Sequence, residues 1–151
     1  MKGKQKRPNP AQEAFQAGCG LVKQNPVLGP LLERADVQFH DGYPMAREDW
    51  AWVASNGLIC ANSHRRAEPQ QWAYVIAHCL LHLALGHIRE DREGDPLWNA
   101  ACDCVSARYL ADLHIGTPPE ELNSPLPPNA REEEKLYRWL KEHQDSAYFR
   151  F

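Results

Sequence analysis

The sequence predicts an α+β fold: a small antiparallel sheet, with a hairpin over about 50–62, packed on a central buried helix over about 69–86, with further helices around it. Three observations carry this. Two apolar, aromatic-rich runs flank Ser55-Asn56-Gly57, residues that tolerate the positive φ of a tight turn. The run QQWAYVIAHCLLHLALGH holds no charged residue and is apolar nearly all round, as suits a helix at the centre of a domain. Amphipathic helical patterns lie on both sides of these two segments.

In chain order, residues 1–10 carry Lys2, Lys4, Lys6 and Arg7 and read as a basic mobile tail. AQEAFQAGCGLVKQN places Ala14, Phe15, Ala17 and Leu21 at helical spacing. Gly18 and Gly20 weaken that helix, and Pro26 and Pro30 punctuate it. PLLERA forms a second short helix after Gly29. DVQFHDG alternates Val37 and Phe39 with polar neighbours and reads as a strand. In the hairpin, Trp50, Trp52 and Val53 lead in, and Leu58, Ile59 and Cys60 lead out. The central helix begins at Glu68-Pro69, because a first turn needs no N–H bond from proline. Trp72, Ile76, Leu80 and Leu83 share one face; Tyr74, Leu81 and Leu85 take roughly the opposite one. Gly86 ends the helix.

IREDREG over 88–94 is a charged surface turn. Asp95-Pro96 opens a further helix, PLWNAACDCVSARYLADL, with Trp98, Cys102, Val105 and Tyr109 as its core stripe. The proline-rich 116–129 is an irregular loop. AREEEKLYRWLKEH over 130–143 is an amphipathic terminal helix with Leu136, Trp139 and Leu140 inward. The reading is one domain over 11–143, with tails at 1–10 and 144–151 and no repeats.

A chain of 151 residues is long enough to bury a core without disulfide staples. A net charge of −3 argues against a dedicated nucleic-acid binder. The longest uncharged apolar stretch, Trp72 to Gly86, contains His78 and His82 and is too short and polar for a membrane span. No apolar stretch follows the basic start, so no secretory signal is expected. The 5 cysteines form no framework, which points to free thiols and a cytoplasmic location.

The chemistry concentrates on the central helix. His78 and His82 are four residues apart, and four residues advance a helix by about 40° beyond one turn. Both imidazoles therefore point the same way, the spacing by which one helix presents two nitrogens to one zinc ion. Two separately hydrogen-bonded core histidines are the bland alternative. A catalytic zinc needs a third protein ligand and an open position. Asp103, a lone carboxylate in WNAACDCVSA, is the preferred third ligand; such a group is costly to bury unless paired or metal-bound. A salt bridge to Arg89, Arg92 or Arg108 is its ordinary alternative. His87, just past Gly86, is the alternative third ligand if the chain swings back at the glycine. Cys102 and Cys104 flank Asp103 but point about 200° apart on a helix, so both cannot reach one ion. They read as buried, inert thiols.

The run VASNGLICANSHRRAEPQQWAYVIAHCLLHLALGHIRED, followed by DPLWNAACDCVSARYL, resembles the zincin-like metallopeptidase domain that precedes a von Willebrand factor A-like domain in many bacterial proteins. That family shows a hairpin turn ending in Gly, a strand ending in Asn, a helix reading HExLHLxLxH and a second helix reading WNxAxD. The matching residues are Gly57, Asn62, His78, Leu81, His82, Leu83, His87, Trp98, Asn99, Ala101 and Asp103. The resemblance covers roughly residues 10–115. It implies a Zn2+ site and a peptide hydrolase, with possible association with an AAA-type ATPase and a separate von Willebrand factor A-like protein.

Three departures from the family pattern stand out. Cys79 stands where the family has Glu, the general base of hydrolysis in such sites. A thiol has a reference pKa of about 8.5 and a shorter reach, so Cys79 occupies the general-base position without its chemistry. The domain is also expected to stand alone, and Ser106 replaces an Asn expected near the end of the second motif. The expectation is a zinc-binding pseudoenzyme with lost or weakened hydrolysis that binds a peptide or protein partner along the exposed hairpin edge. An active peptidase using another base, with Glu90 and Asp91 the nearest acids, is one alternative. A metal-free interaction domain is the other.

Overall fold

The computed structural model describes residues 9–42, 45–122 and 131–143. Asn9 accepts a hydrogen bond from the Ala11 amide and caps α1 (Pro10–Gln24), with Pro10 in the first turn. After a short turn, α2 (Leu28–Arg34) leads into β1 (Asp36–His40). The hairpin of β2 (Ala51–Val53) and β3 (Leu58–Asn62) follows, then α3 (Pro69–Ala84), α4 (Pro96–Leu113) and α5 (Glu133–Glu142). Short 3-10 turns form at Glu90–Arg92 and Glu120–Leu122. Of the expected tails, Asn9 and Pro10 belong to α1, and the rest lies outside the described residues. So does 123–130 of the proline-rich loop.

The α+β class stands, with one correction to the sheet. The hairpin is antiparallel, pairing Ala51 with Ala61 and Val53 with Ile59 across a turn closed by Gly57 at φ 95°. The strand order, however, is β1-β3-β2, and β1 runs parallel to β3 from Asp36↔Leu58 to His40↔Asn62. The sheet is therefore mixed. The whole of β2 lies in the connection between β1 and β3, so the chain re-enters the sheet in its original direction. β3 is central, and β2 is left as an edge.

The sheet packs on α3, which is buried at every position from Trp72 to Ala77 and again from Cys79 to Leu81. Around fully buried Trp72, the rings of Phe15, Phe39 and Trp50 stand at 5.6, 5.7 and 5.5 Å in edge-on geometry, the arrangement favoured by the ring quadrupole. Gly18 is where α1 crosses α3. A Cβ there would lie 2.6 Å from Trp72 Cβ and 2.8 Å from the Pro69 carbonyl. The glycine that weakens α1 locally is what lets the helices touch.

A second core lies between α4 and α5, built on Trp98, Val105, Leu136 and Leu140. Asp95 caps α4 by accepting from the Leu97 and Trp98 amides, and its other oxygen accepts from the Tyr137 hydroxyl. Some inward and outward assignments shift. Tyr109 is exposed and Leu110 is buried in its place; Leu85 is exposed; Trp139 is half-buried while Tyr137 turns inward. The cause is which neighbour packs on each face, a matter helical spacing alone does not settle. Cys19, Cys60, Cys79, Cys102 and Cys104 are free. Among the described residues, no helix is long and apolar enough to cross a membrane.

Candidate metal centre

α3 and α4 pack together, and each contributes to one cluster of side chains. The helical spacing brings the His78 and His82 rings to 4.5 Å between centroids. Asp103 projects from α4 between them. Its Oδ1 stands 2.9 Å from His78 Nε2 and 2.8 Å from His82 Nε2, and the two nitrogens are 2.8 Å apart. Of the described residues, His78, His82 and Asp103 form a group of donors that could hold a metal ion.

The donor set can be tested against its own hydrogen-bond accounting. A neutral imidazole carries one N–H, and an ionised carboxylate only accepts. If both Nε2 atoms carry protons, two N–H groups confront each other at 2.8 Å. If either is bare, its lone pair confronts the Asp103 oxygen. With the carboxylate ionised and both rings neutral, no placement of the protons satisfies all three contacts, whereas one cation among them does. Two imidazoles and one carboxylate also match the ligand chemistry of zinc.

The charges agree. Burial, reinforced by the neighbouring His78, pushes the His82 pKa down, so the ring favours its neutral, ligating form. Burial opposes ionisation of Asp103, but the hydrogen bonds of His78 and His82 beside it prevail and hold the carboxyl well below its usual range.

His87 lies elsewhere. Gly86 adopts φ 66°, and the chain reverses with the His87 amide on the His82 carbonyl at 3.0 Å and the Gly86 amide on the Leu83 carbonyl at 3.3 Å. This double closure is the Schellman end of a helix, which favours glycine. It does swing His87 back, but onto the far side of His82. His87 Nδ1 faces His82 Nδ1 at 2.9 Å, and its Nε2 faces Glu133 Oε1 at 2.9 Å. Asp103 is thus the group that stands against both Nε2 atoms, and His87, the alternative ligand, lies one contact further out. Burial pushes the His87 pKa down as well, ahead of the opposing effect of Glu133. Of the arginines considered as partners for Asp103, Arg89 is engaged with Asp91 and Glu134, and Arg92 with Glu134.

Cys79 is buried, and desolvation with the nearby Asp103 charge pushes its thiol up to about 12. Burial likewise pushes Cys104 up to about 12 and raises Cys102. Asn62 is buried and structural: its side-chain amide donates to the carbonyls of Arg47 and Asp49 at 3.1 and 2.7 Å, fixing the approach to β2. Glu133 is the residue that sequence reading missed. It is one acid among several in the charged start of α5, and nothing in its local pattern marks it as a partner of His87.

A cleft of about 770 Å³ opens over the cluster. Trp50, Trp52 and Val53 from the hairpin, and Trp98 from α4, form its apolar walls. No family model, curated protein or solved structure matches the chain.

Proposed function

We propose that the chain is a zinc-binding, zincin-like domain whose peptide hydrolysis is lost or weakened and whose cleft binds a peptide or protein partner. The observation that carries the reading is the convergence of His78 Nε2, His82 Nε2 and Asp103 Oδ1 within 2.9 Å of one another at the floor of a cleft. His78, His82 and Asp103 would hold the ion. A zinc ion in such a site supplies Lewis acidity.

Hydrolysis also needs a group that takes a proton and returns it to the leaving amine. Cys79, next to His78 on the helix, is a neutral thiol at pH 7, since its pKa is pushed up to about 12. It neither accepts that proton nor reaches far from a buried position. Of the other acids considered, Asp91 is bound to Arg89 at 2.6 Å, and Glu90 is exposed on the rim of the cleft. What remains is binding: apolar walls of Trp50, Trp52 and Trp98 beside a polar floor, the composition of a recognition cleft.

Elemental analysis of the full chain, purified without a His tag or added metal, tests the reading. About one zinc per chain is expected, with no turnover of a peptide library. Folded protein that takes up no zinc on titration would leave a metal-free interaction domain. Zinc-dependent cleavage abolished by His78→Ala would leave an active peptidase that uses another base.

A further inference from the structure

We propose that Glu133, acting through His87, sets the tautomer and ring orientation of His82, so that α5 is part of the machinery that holds the ion. This rests on the metal-binding reading above.

The argument runs inward from α5. The Glu133 carboxylate only accepts hydrogen bonds, and its Oε1 is 2.9 Å from His87 Nε2. His87 therefore carries its proton on Nε2. A neutral imidazole has one N–H, so His87 Nδ1 is bare. That bare nitrogen faces His82 Nδ1 at 2.9 Å, so His82 carries its proton on Nδ1 and donates it to His87. His82 Nε2 is then bare and points at Asp103 Oδ1 and His78 Nε2, each 2.8 Å away. A lone pair held against a carboxylate oxygen is unfavourable by itself and is the arrangement a shared cation requires. The relay thus presents the ligating lone pair before any ion arrives.

The relay is itself held in place. The His87 side chain is 3% exposed, and Trp98 Nε1 donates to the His87 carbonyl at 2.9 Å. α5 docks through the Tyr137 hydroxyl on Asp95 and through Glu134 on Arg92. His78, by contrast, has a buried Nδ1 with no hydrogen-bond partner among the described residues. Of the two imidazoles, His82 is the one with an outer support. Such supports fix ring orientation, and losing one typically lowers metal affinity 10–100-fold.

The test uses the full chain, zinc competition with a chelator, and long-range 15N NMR of the imidazoles in zinc-loaded protein. In the wild type, His82 is expected as the Nδ1–H form and His87 as the Nε2–H form. Glu133→Ala should weaken zinc binding by about tenfold or more. Glu133→Gln, whose amide oxygen still accepts, should recover much of that loss. Glu142→Gln, exposed near the far end of the same helix and outside both the relay and the docking contacts, should stay within about twofold of wild type. Failure of the wild type to bind zinc overturns the metal reading and this inference with it. Zinc binding with His82 protonated on Nε2, or with Glu133→Ala equal to wild type, overturns this inference alone.

Discussion

Trp98 Nε1 donates to the carbonyl oxygen of His87 across 2.9 Å, so the helix that carries Asp103 also pins the turn that closes the His78–His82 helix. The two motifs are therefore one mechanical unit. A change in the packing of α4 on α3 moves the carboxylate and the turn together.

Metal removal follows from that unit. Because the donors of α3 and α4 mutually repel or compete without a cation, chelation of zinc-loaded protein should lower the melting temperature, by an amount that grows with free zinc over Kd. His78→Ala, His82→Ala and Asp103→Ala should each lower zinc affinity by more than His87→Ala does. Isothermal titration with zinc ranks the four variants. His87→Ala falling lowest would return His87 to the ion.

The wild type should show peptide cleavage at background. Cys79→Glu should still bind zinc through His78, His82 and Asp103. A positioned base contributes roughly 10²–10⁴-fold in rate, so detectable zinc-dependent turnover by this variant is the expected gain. Zinc-dependent cleavage by the unmodified protein, absent in His78→Ala, would show that a different group takes the proton.

The contrast between two glycines in α1 tests the α1–α3 crossing. Gly20 has no neighbour within 4 Å of a built Cβ, whereas Gly18 meets Trp72 at 2.6 Å. Gly20→Ala should stabilise the fold by about 0.5–1 kcal/mol. Gly18→Ala should destabilise it by about 1–3 kcal/mol through overpacking. Urea unfolding of both variants separates the two signs. Equal stabilisation would mean that the helices cross elsewhere.

Asp95 supplies an acid-sensitive contribution. The Tyr137 hydrogen bond, together with the Leu97 and Trp98 amides, holds its carboxyl below the usual range against the cost of burial. A depressed folded pKa means stability that is present above the unfolded value of about 3.9 and lost as pH falls through the folded one. Asp95→Ala should cost about 1 kcal/mol at pH 7. The gap to wild type should narrow below about pH 4. A gap independent of pH from 7 to 3 would remove the charge from the account of this cap.

Much of this protein can be read from its residues in order. The uncharged run of α3 requires burial whatever surrounds it, and Ser55-Asn56-Gly57 requires a turn, because both depend on local conformational and transfer energies. The i, i+4 spacing of His78 and His82 settles that their rings share a face, since helix geometry acts within one turn. Asp103 was legible as an isolated carboxylate in an apolar helix, a group with no cheap place to go. Other features depended on contacts between distant segments. The parallel pairing of β1 with β3 depends on where the chain re-enters the sheet, and the benefit of Gly18 depends on Trp72 lying opposite. His87 had two possible destinations after Gly86, and a glycine at positive φ does not choose between them. Packing chose, by seating α5 so that Glu133, 46 residues away in sequence, accepts the far nitrogen of that ring. A hydrogen bond between segments so far apart leaves no periodicity in either, so only the tertiary structure decided that His87 lies between His82 and Glu133 while Asp103 meets both Nε2 atoms.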